Sequence, residues 1–352
     1  MHVDPIVPSL VALEKLAFNS KSITVNLIKK GFILTGLFLG VLFSQTPLES
    51  IPVATYSIVA YDNETGELGV AVQSHWFSVG FLVPWAKAGV GAVATQSFVK
   101  VDYGPDGLIL MDEGLTAIEA LKKMISEDKG EAVRQVAMID VKGNVATHTG
   151  DNCIYAAGHH IGENYSVQAN MMESETVWPA MAKAFETTVG DLADRMMAAL
   201  DAAEGEGGDI RGKQSAAMLI VSGEPTGIPW KDTVLNLRVD DHPTPLKELR
   251  RLIRINRAYQ HANKGDHYLE LDEIEKALAE YEMAAHYYPE NPELPYWSAI
   301  TLVSKGQLDK ALPIFRDVFK REPRLRKLTP RLVDSGLLPD DPKLIETIIK
   351  LK

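Results

Sequence analysis

From residue 55 onward, short apolar runs alternate with turn-forming clusters. Residues 55–61 (TYSIVAY) alternate and are rich in β-formers, 62–67 (DNETGE) have turn chemistry, and 68–74 (LGVAVQS) resume a strand, which predicts a β-hairpin. An aromatic-rich loop over 75–89 leads to a third strand over 91–98 (GAVATQSF). Tyr103-Gly104-Pro105 is expected to break the chain, and 108–127 to form a helix jointed at Gly114, on the spacing of Leu115, Ile118, Leu121 and Ile125. A second hairpin is expected over 134–140 and 144–149 about Lys142-Gly143, then a strand over 165–171 and helices over 176–187 and 192–203. A glycine-rich loop over 205–212 (GEGGDIRG) precedes strands over 215–222 and 233–239. Hairpins dominate, so the sheets should be mostly antiparallel. Two such sheets with a helix layer on each outer face form a four-layer α/β/β/α sandwich, which is the fold class expected for residues 55–241.

After residue 241 the pattern turns to helices alone. A capping or linker helix is expected over 242–257, beginning a helix that runs over 245–261. Gly265, Tyr268, Ala277, Tyr281, Ala284 and Pro289 then stand at the spacing of a tetratricopeptide repeat. Ala277, Tyr281 and Pro289 recur thirty-four residues later as Ala311, Phe315 and Pro323. Ala299 replaces the first glycine of the second unit, and Val318 stands where Ala284 stood. Two repeats over 258–325 are expected, with a capping tail over 326–352, because two units are fewer than such arrays need alone.

Charge supports the division at 241. Residues 55–241 hold 13 Lys and Arg against 27 Asp and Glu, whereas 242–352 hold 19 against 17. A formal net charge of −11 excludes a general attraction to nucleic acid or anionic lipid. The single cysteine, Cys153, excludes an intrachain disulfide and a multi-cysteine metal site. No metal or cofactor is expected.

The first fifty-four residues read as a leader. Lys29-Lys30 precede thirteen uncharged residues, 31–43 (GFILTGLFLGVLF). A membrane-spanning helix needs about 20 apolar residues, whereas a positive head before an apolar run of about 7–15 is the secretory pattern. Export to a periplasmic or extracellular location is expected, an uncleaved membrane anchor being the alternative. The residues before Val25 suit a signal head poorly, which points to a translation start near Val25. Ala54 is a small residue at the end of the leader, while Pro52 fits a cleavage site poorly.

Most chemistry-bearing motifs are missing or structural. There is no GxSxG elbow and no HExxH pair, and 205–212 lacks the lysine ending of a phosphate loop and runs from helix to strand. His159-His160 and Cys153 suit structural roles. Thr55 differs, because it would become the amino terminus once the leader is removed. Its hydroxyl is then a nucleophile, and its free α-amine, with a pKa of about 7.7–8.0, is the base. Inside a chain the same residue has only an amide nitrogen.

Residues 55–98 (TYSIVAYDNETGELGVAVQSHWFSVGFLVPWAKAGVGAVATQSF) closely resemble the opening of the DUF1028 family, a domain of unknown function placed among the N-terminal-nucleophile hydrolases. The likeness continues through Tyr103-Gly104-Pro105, 135–140, His148-Thr149-Gly150, 166–171 and 207–215. The resemblance implies an N-terminal-nucleophile-hydrolase-like sandwich and Thr55 as nucleophile. It further implies Lys87, thirty-two residues on, as a cation beside the nucleophile, with the Asn170 amide and the Gly91 N–H as oxyanion donors. Gln73, His75, Gln96, Asp209 and Arg211, polar groups at strand ends and in loops, are candidates to line a substrate cleft. The function expected is an exported hydrolase of a small-molecule or peptide amide. The alternative is a secreted, non-catalytic binding protein whose helical repeats recruit a peptide or cell-wall component.

Overall fold

The structure, a computed structural model, describes residues 51–53 and 55–351. The expectations for residues 1–50 and for Ala54 fall outside the described residues. The strands are β1 (Ile51–Val53), β2 (Thr55–Tyr61), β3 (Leu68–Ser74), β4 (Pro84–Lys87) and β5 (Gly91–Val99). Helices α1 (Tyr103–Asp112) and α2 (Ala117–Glu127) follow, then β6 (Arg134–Asp140), β7 (Val145–Thr149), β8 (Gly158–Gly162) and β9 (Tyr165–Asn170). Next come α3 (Val177–Thr187), α4 (Leu192–Gly205), β10 (Ser215–Val221), the short α5 (Pro229–Asp232) and β11 (Thr233–Val239). The remainder is helical: α6 (Pro245–Glu270), α7 (Ile274–Tyr287), α8 (Glu293–Ser304), α9 (Leu308–Arg321), α10 (Pro323–Leu328) and α11 (Pro342–Ile349).

The strands form two sheets in which each pairing is antiparallel. The first has the order β1-β5-β6-β7, with β4 also on β5, and the second β11-β10-β3-β2-β9-β8. Strand alternation assigns the faces. From β2, Tyr56, Ile58 and Ala60 join Met181, Phe185, Met196 and Leu200 in a core under α3 and α4. On the other sheet, Val93 and Met138 pack with Leu108 and Leu121 of α1 and α2. Val59, Val70 and Val72 meet Ala92, Ala94 and Ile139 between the sheets. Helices, sheet, sheet and helices therefore stack in four layers, with three apolar interlayers.

Several elements differ from expectation for identifiable reasons. Tyr103-Gly104-Pro105 opens α1 instead of breaking the chain. Proline is tolerated in a first helical turn, and a Cβ on Gly104 would stand 2.3 Å from the Trp85 indole, so glycine permits that close approach. The helix expected over 108–127 is two helices, because Gly114 has φ 104 and Thr116 starts α2 with a reciprocal capping box to Glu119. Three strands were not legible: β1, which reads in sequence as the end of the leader, β4, inside the aromatic loop, and β8 (GHHIG), an edge strand with glycine at both ends.

Of the expected segment 242–257, residues from Pro245 on form the front of one continuous helix, α6, that runs 26 residues, and 242–244 lead into it. Leu246, Leu249 and Ile253 enter the core under α3 and α4, while Ala258 packs with Ala284 and Leu294. The repeat landmarks Ala277, Tyr281, Ala284, Ala311, Phe315 and Val318 are buried between paired helices. Among the described residues, no helix is long and apolar enough to cross a membrane.

Candidate functional site

At one end of the sandwich the inter-sheet layer stops being apolar. Cross-strand register lines up Ser215, Ser74, Thr55 and Asn170 on neighbouring strands of the larger sheet. On the facing sheet Gln96, Gln135 and Thr149 stand in register. All but Thr149 are at most 1% exposed. Burying amides and hydroxyls is costly unless they are paired, and here they are paired.

Gln135 is the hub. Its Oε1 accepts from Gln96 Nε2 at 2.7 Å and from Asn170 Nδ2 at 2.9 Å, and its Nε2 donates to the Ala169 carbonyl at 2.8 Å and Thr149 Oγ1 at 3.0 Å. Ser57 Oγ donates to Gln96 Oε1 at 2.5 Å and accepts from Gln168 Nε2 at 2.6 Å. Ser166 Oγ donates to Gln168 Oε1 at 3.1 Å and accepts from Thr147 Oγ1 at 2.7 Å. At the margin, Thr149 Oγ1 lies 2.9 Å from His159 Nδ1. Burial, then the neighbouring His148 and His160, hold the His159 ring below its ordinary pKa, so it favours the neutral form.

Thr55 is fully buried at the start of β2, an inner strand. Its Oγ1 donates to the Val53 carbonyl at 2.8 Å and lies 3.4 Å from Ser74 Oγ. Its carbonyl accepts from Gln96 Nε2 at 3.2 Å and Asn170 Nδ2 at 3.4 Å. Val53 belongs to the other sheet, where β1 pairs with the end of β5, so the chain changes sheets across one residue.

The structure brings Thr55, Gln96 and Asn170 together. Asp209 is anchored nearby, its buried carboxylate accepting from the His75 backbone N–H at 3.1 Å and from Arg211 Nη2 at 2.7 Å. Gln73 and His75 lie on β3 and just beyond it, flanking Ser74. Lys87 and Gly91 are not at this site. They pair with each other across β4 and β5, at the opposite end of β5 from Gln96. Lys87 Nζ is exposed and bonds Asp112 Oδ2 at 2.8 Å. The linear separation of thirty-two residues does not return the chain to Thr55, because β4 delivers Lys87 to the far end of the sheet.

Ser57, Ser74, Gln135, Thr149 and Gln168 were not singled out individually from sequence, in which His159 reads as structural. The signal available was the polar alternation itself: Ser166, Gln168 and Asn170 recur every second residue, as do Thr147 and Thr149. Such a face ordinarily meets water, and here it meets a second polar face. Cys153 is no competing nucleophile, since burial pushes its thiol pKa up and its Sγ donates to the Arg134 carbonyl. Among the described residues, no cluster of three or more His, Cys, Asp or Glu side chains is placed to hold a metal. Two surface depressions lie elsewhere, one lined by Lys100, Tyr103 and Lys123, the other by Gly89, Met111 and Asp140.

Loops around the Thr55 end expose large apolar groups. The Met171 N–H donates to the Ile154 carbonyl and its carbonyl accepts from the Ile210 N–H, so exposed Ile154 and Ile210 flank the residue after Asn170. On the other side Ser215 Oγ holds the Trp76 carbonyl, next to exposed Phe77.

Comparison with known proteins bears on the part of the chain that builds this site. No curated protein matches the chain. A crystal structure of protein SPO2555 from Silicibacter pomeroyi, described with the DUF1028 family, is similar at 32% identity and a TM-score of 0.52. The match covers 57% of this chain and 85% of that one. The profile of a family of unknown function, DUF1028, matches residues 55–249, more than half of the chain and a span that begins at Thr55. The chain therefore belongs to the DUF1028 family, whose function is unknown.

Proposed function

We propose that the protein is an exported amide-bond hydrolase whose nucleophile is Thr55 Oγ1, exposed as a terminal residue by cleavage of the peptide bond before it. The observation that carries this reading is the position of Thr55. It opens an inner strand at the polar end of the sandwich, its hydroxyl beside Ser74 Oγ and its carbonyl held by Gln96 and Asn170. After cleavage the α-amine takes the hydroxyl proton and Oγ1 attacks the substrate carbonyl carbon. The amine then returns the proton to the leaving nitrogen as the C–N bond breaks, and water hydrolyses the resulting threonyl ester. Asn170 Nδ2 gives up its long bond to the Thr55 carbonyl and turns that N–H to the developing oxyanion. Lys87 has no part in this scheme. In the same reading the fold is an N-terminal-nucleophile-hydrolase-like sandwich, and the pairs α6–α7 and α8–α9 are two tetratricopeptide units. Gly265 supports the latter, since a Cβ there would lie 2.6 Å from the Tyr281 ring.

A second reading, a non-catalytic binding protein, is favoured by one observation: the uncut segment is well accommodated, with β1 on β5 and Thr55 Oγ1 satisfied by the Val53 carbonyl. Amino-terminal sequencing of the exported protein decides between them. A terminus at Thr55 is expected, and a mature chain that retains Ile51–Val53 would favour the binding protein.

A further inference from the structure

Gln73 departs from the pairing that governs the other buried glutamines. Its side chain is fully buried, yet neither Oε1 nor Nε2 has a hydrogen-bond partner among the described residues. Two residues on, His75 Nδ1 is also buried without a partner. A carboxamide carries two N–H donors and an acceptor oxygen. Gln96, Gln135 and Gln168 each use both ends of theirs. An unpaired buried group of this kind needs an explanation, and a ligand that completes its bonds is one.

Alternation along β3 places Gln73 on the helix-facing side of its sheet, between Tyr56 and Ala216. The turn over residues 205–212 closes this side. Gly208, at φ 60, comes so near Tyr56 that a Cβ would stand 3.3 Å from its ring. A Cβ on Gly212, at φ 109, would stand 3.6 Å from His75 Nδ1. Asp209, between these glycines, ties the turn down by accepting from the His75 N–H. Tyr56 Oη donates to Glu204 Oε2 at 2.9 Å, and burial keeps the phenol protonated, so its proton is already committed.

We propose that Gln73 and His75 form a carboxamide-binding subsite beneath the 205–212 turn, which takes a primary amide group of a ligand. Gln73 Oε1 accepts one ligand N–H, Nε2 donates to the ligand carbonyl, and His75 Nδ1 accepts the second N–H. The subsite lies on the face of its sheet opposite to Thr55 Oγ1, so it is a ligand site in its own right and stands whether or not Thr55 is a nucleophile. Ser74, between Gln73 and His75 in the chain, turns its Oγ to the other face, 3.4 Å from Thr55 Oγ1, so the two sites meet only around the end of β3. The ligand enters as the turn lifts, which Gly207, Gly208 and Gly212 allow because all three already hold positive φ.

The test uses the full chain, with glutamine side chains and glycine backbone amides labelled with nitrogen-15, and propionamide as probe. Propionate and butanone, of similar size but without the amide N–H pair, are the controls. The Gln73 side-chain resonances, assigned by their loss in Gln73→Met, should move saturably with propionamide and with neither control. In Gln73→Met the saturable response of the Gly208 and Gly212 amides should vanish, while the melting temperature rises by about 2–4 °C as an unpaired buried amide is removed. Unmoved Gln73 resonances, an equal response to butanone, or a Gln73→Met chain that melts below the parent would each overturn the proposal. Labelling of Thr55 by a β-lactone, followed separately on the exported protein, decides the nucleophile, so the two readings fail independently.

Discussion

The space between the two sheets is built in two ways from the same strands. Toward one end of β2 and β5, Val59 meets Ala92, Ala94 and Ile139, small and branched apolar residues without polar side-chain atoms. Toward the other, Ser57 and the Thr55 carbonyl bond Gln96 at 2.5 and 3.2 Å, and Gln96 in turn bonds Gln135 at 2.7 Å. The apolar end gains from area removed from water and tolerates change in proportion to the volume lost. The polar end gains little net from each bond, but loses heavily when one partner is deleted and the other stays buried. An interior of the second kind is seldom kept for stability alone, and the polar end is where Thr55 begins its strand.

The largest test of that contrast is chemical. Thr55→Ala should fold and lose amide hydrolysis below detection, and one residue appended before Thr55 in the mature chain should do the same by turning the base into an amide. Thr55→Ser should retain measurable turnover. Full activity with a blocked amino terminus would break the assignment of the polar end to catalysis. Next in size, Gln135→Leu strips the acceptor from Gln96 and Asn170 and should cost about 3 kcal/mol, whereas Ile139→Val at the apolar end should cost about 1 kcal/mol. Urea midpoints measure both, and equal costs would erase the distinction between the ends.

A smaller effect is pH-dependent. The folded chain holds the His159 pKa below that of the unfolded chain, so unfolded protein takes up the proton more readily as pH falls. The stability gained from the neutral ring is present above about pH 6.5 and lost as pH drops through the folded value. Unfolding free energy should therefore decline from neutral toward acid pH, with a shallower slope in His159→Gln. The smallest effect belongs to Lys87→Ala. An ion pair with both side chains half exposed contributes about 0–1 kcal/mol, and hydrolysis should be unchanged. A loss of about 10²-fold in rate would return Lys87 to the site.

Sequence pattern alone reached most strands and helices of the sandwich, since hairpins and amphipathic helices leave local periodic traces. Thr55, Gln96 and Asn170, named from chain chemistry, a strand-end position and the family resemblance in turn, are brought together by the fold. The Gln135 hub was not legible, because what makes it a hub is the register of β6 on β5 and the approach of β9 from the facing sheet, which bring Gln135 to Gln96 and Asn170, 39 and 35 residues away. Lys87 was misplaced for the same reason in reverse, a linear interval taken for a spatial one. The continuity of α6 was hidden because Gly265 looks like a repeat landmark, and it is accommodated mid-helix by the Tyr281 ring lying against it.

That continuity has a mechanical consequence. At 1.5 Å per residue, the 26 residues of α6 make a rod of about 39 Å. One end is embedded in the sandwich core through Leu246, Leu249 and Ile253, and the other is gripped by α7. A load on the C-terminal helices is therefore delivered to β10 and β11 as torque through a stiff shaft, where a slack linker would absorb it. Because β10 opens at Ser215, in register with Ser74 and through it with Thr55, the shaft ends two strands from the threonine's own.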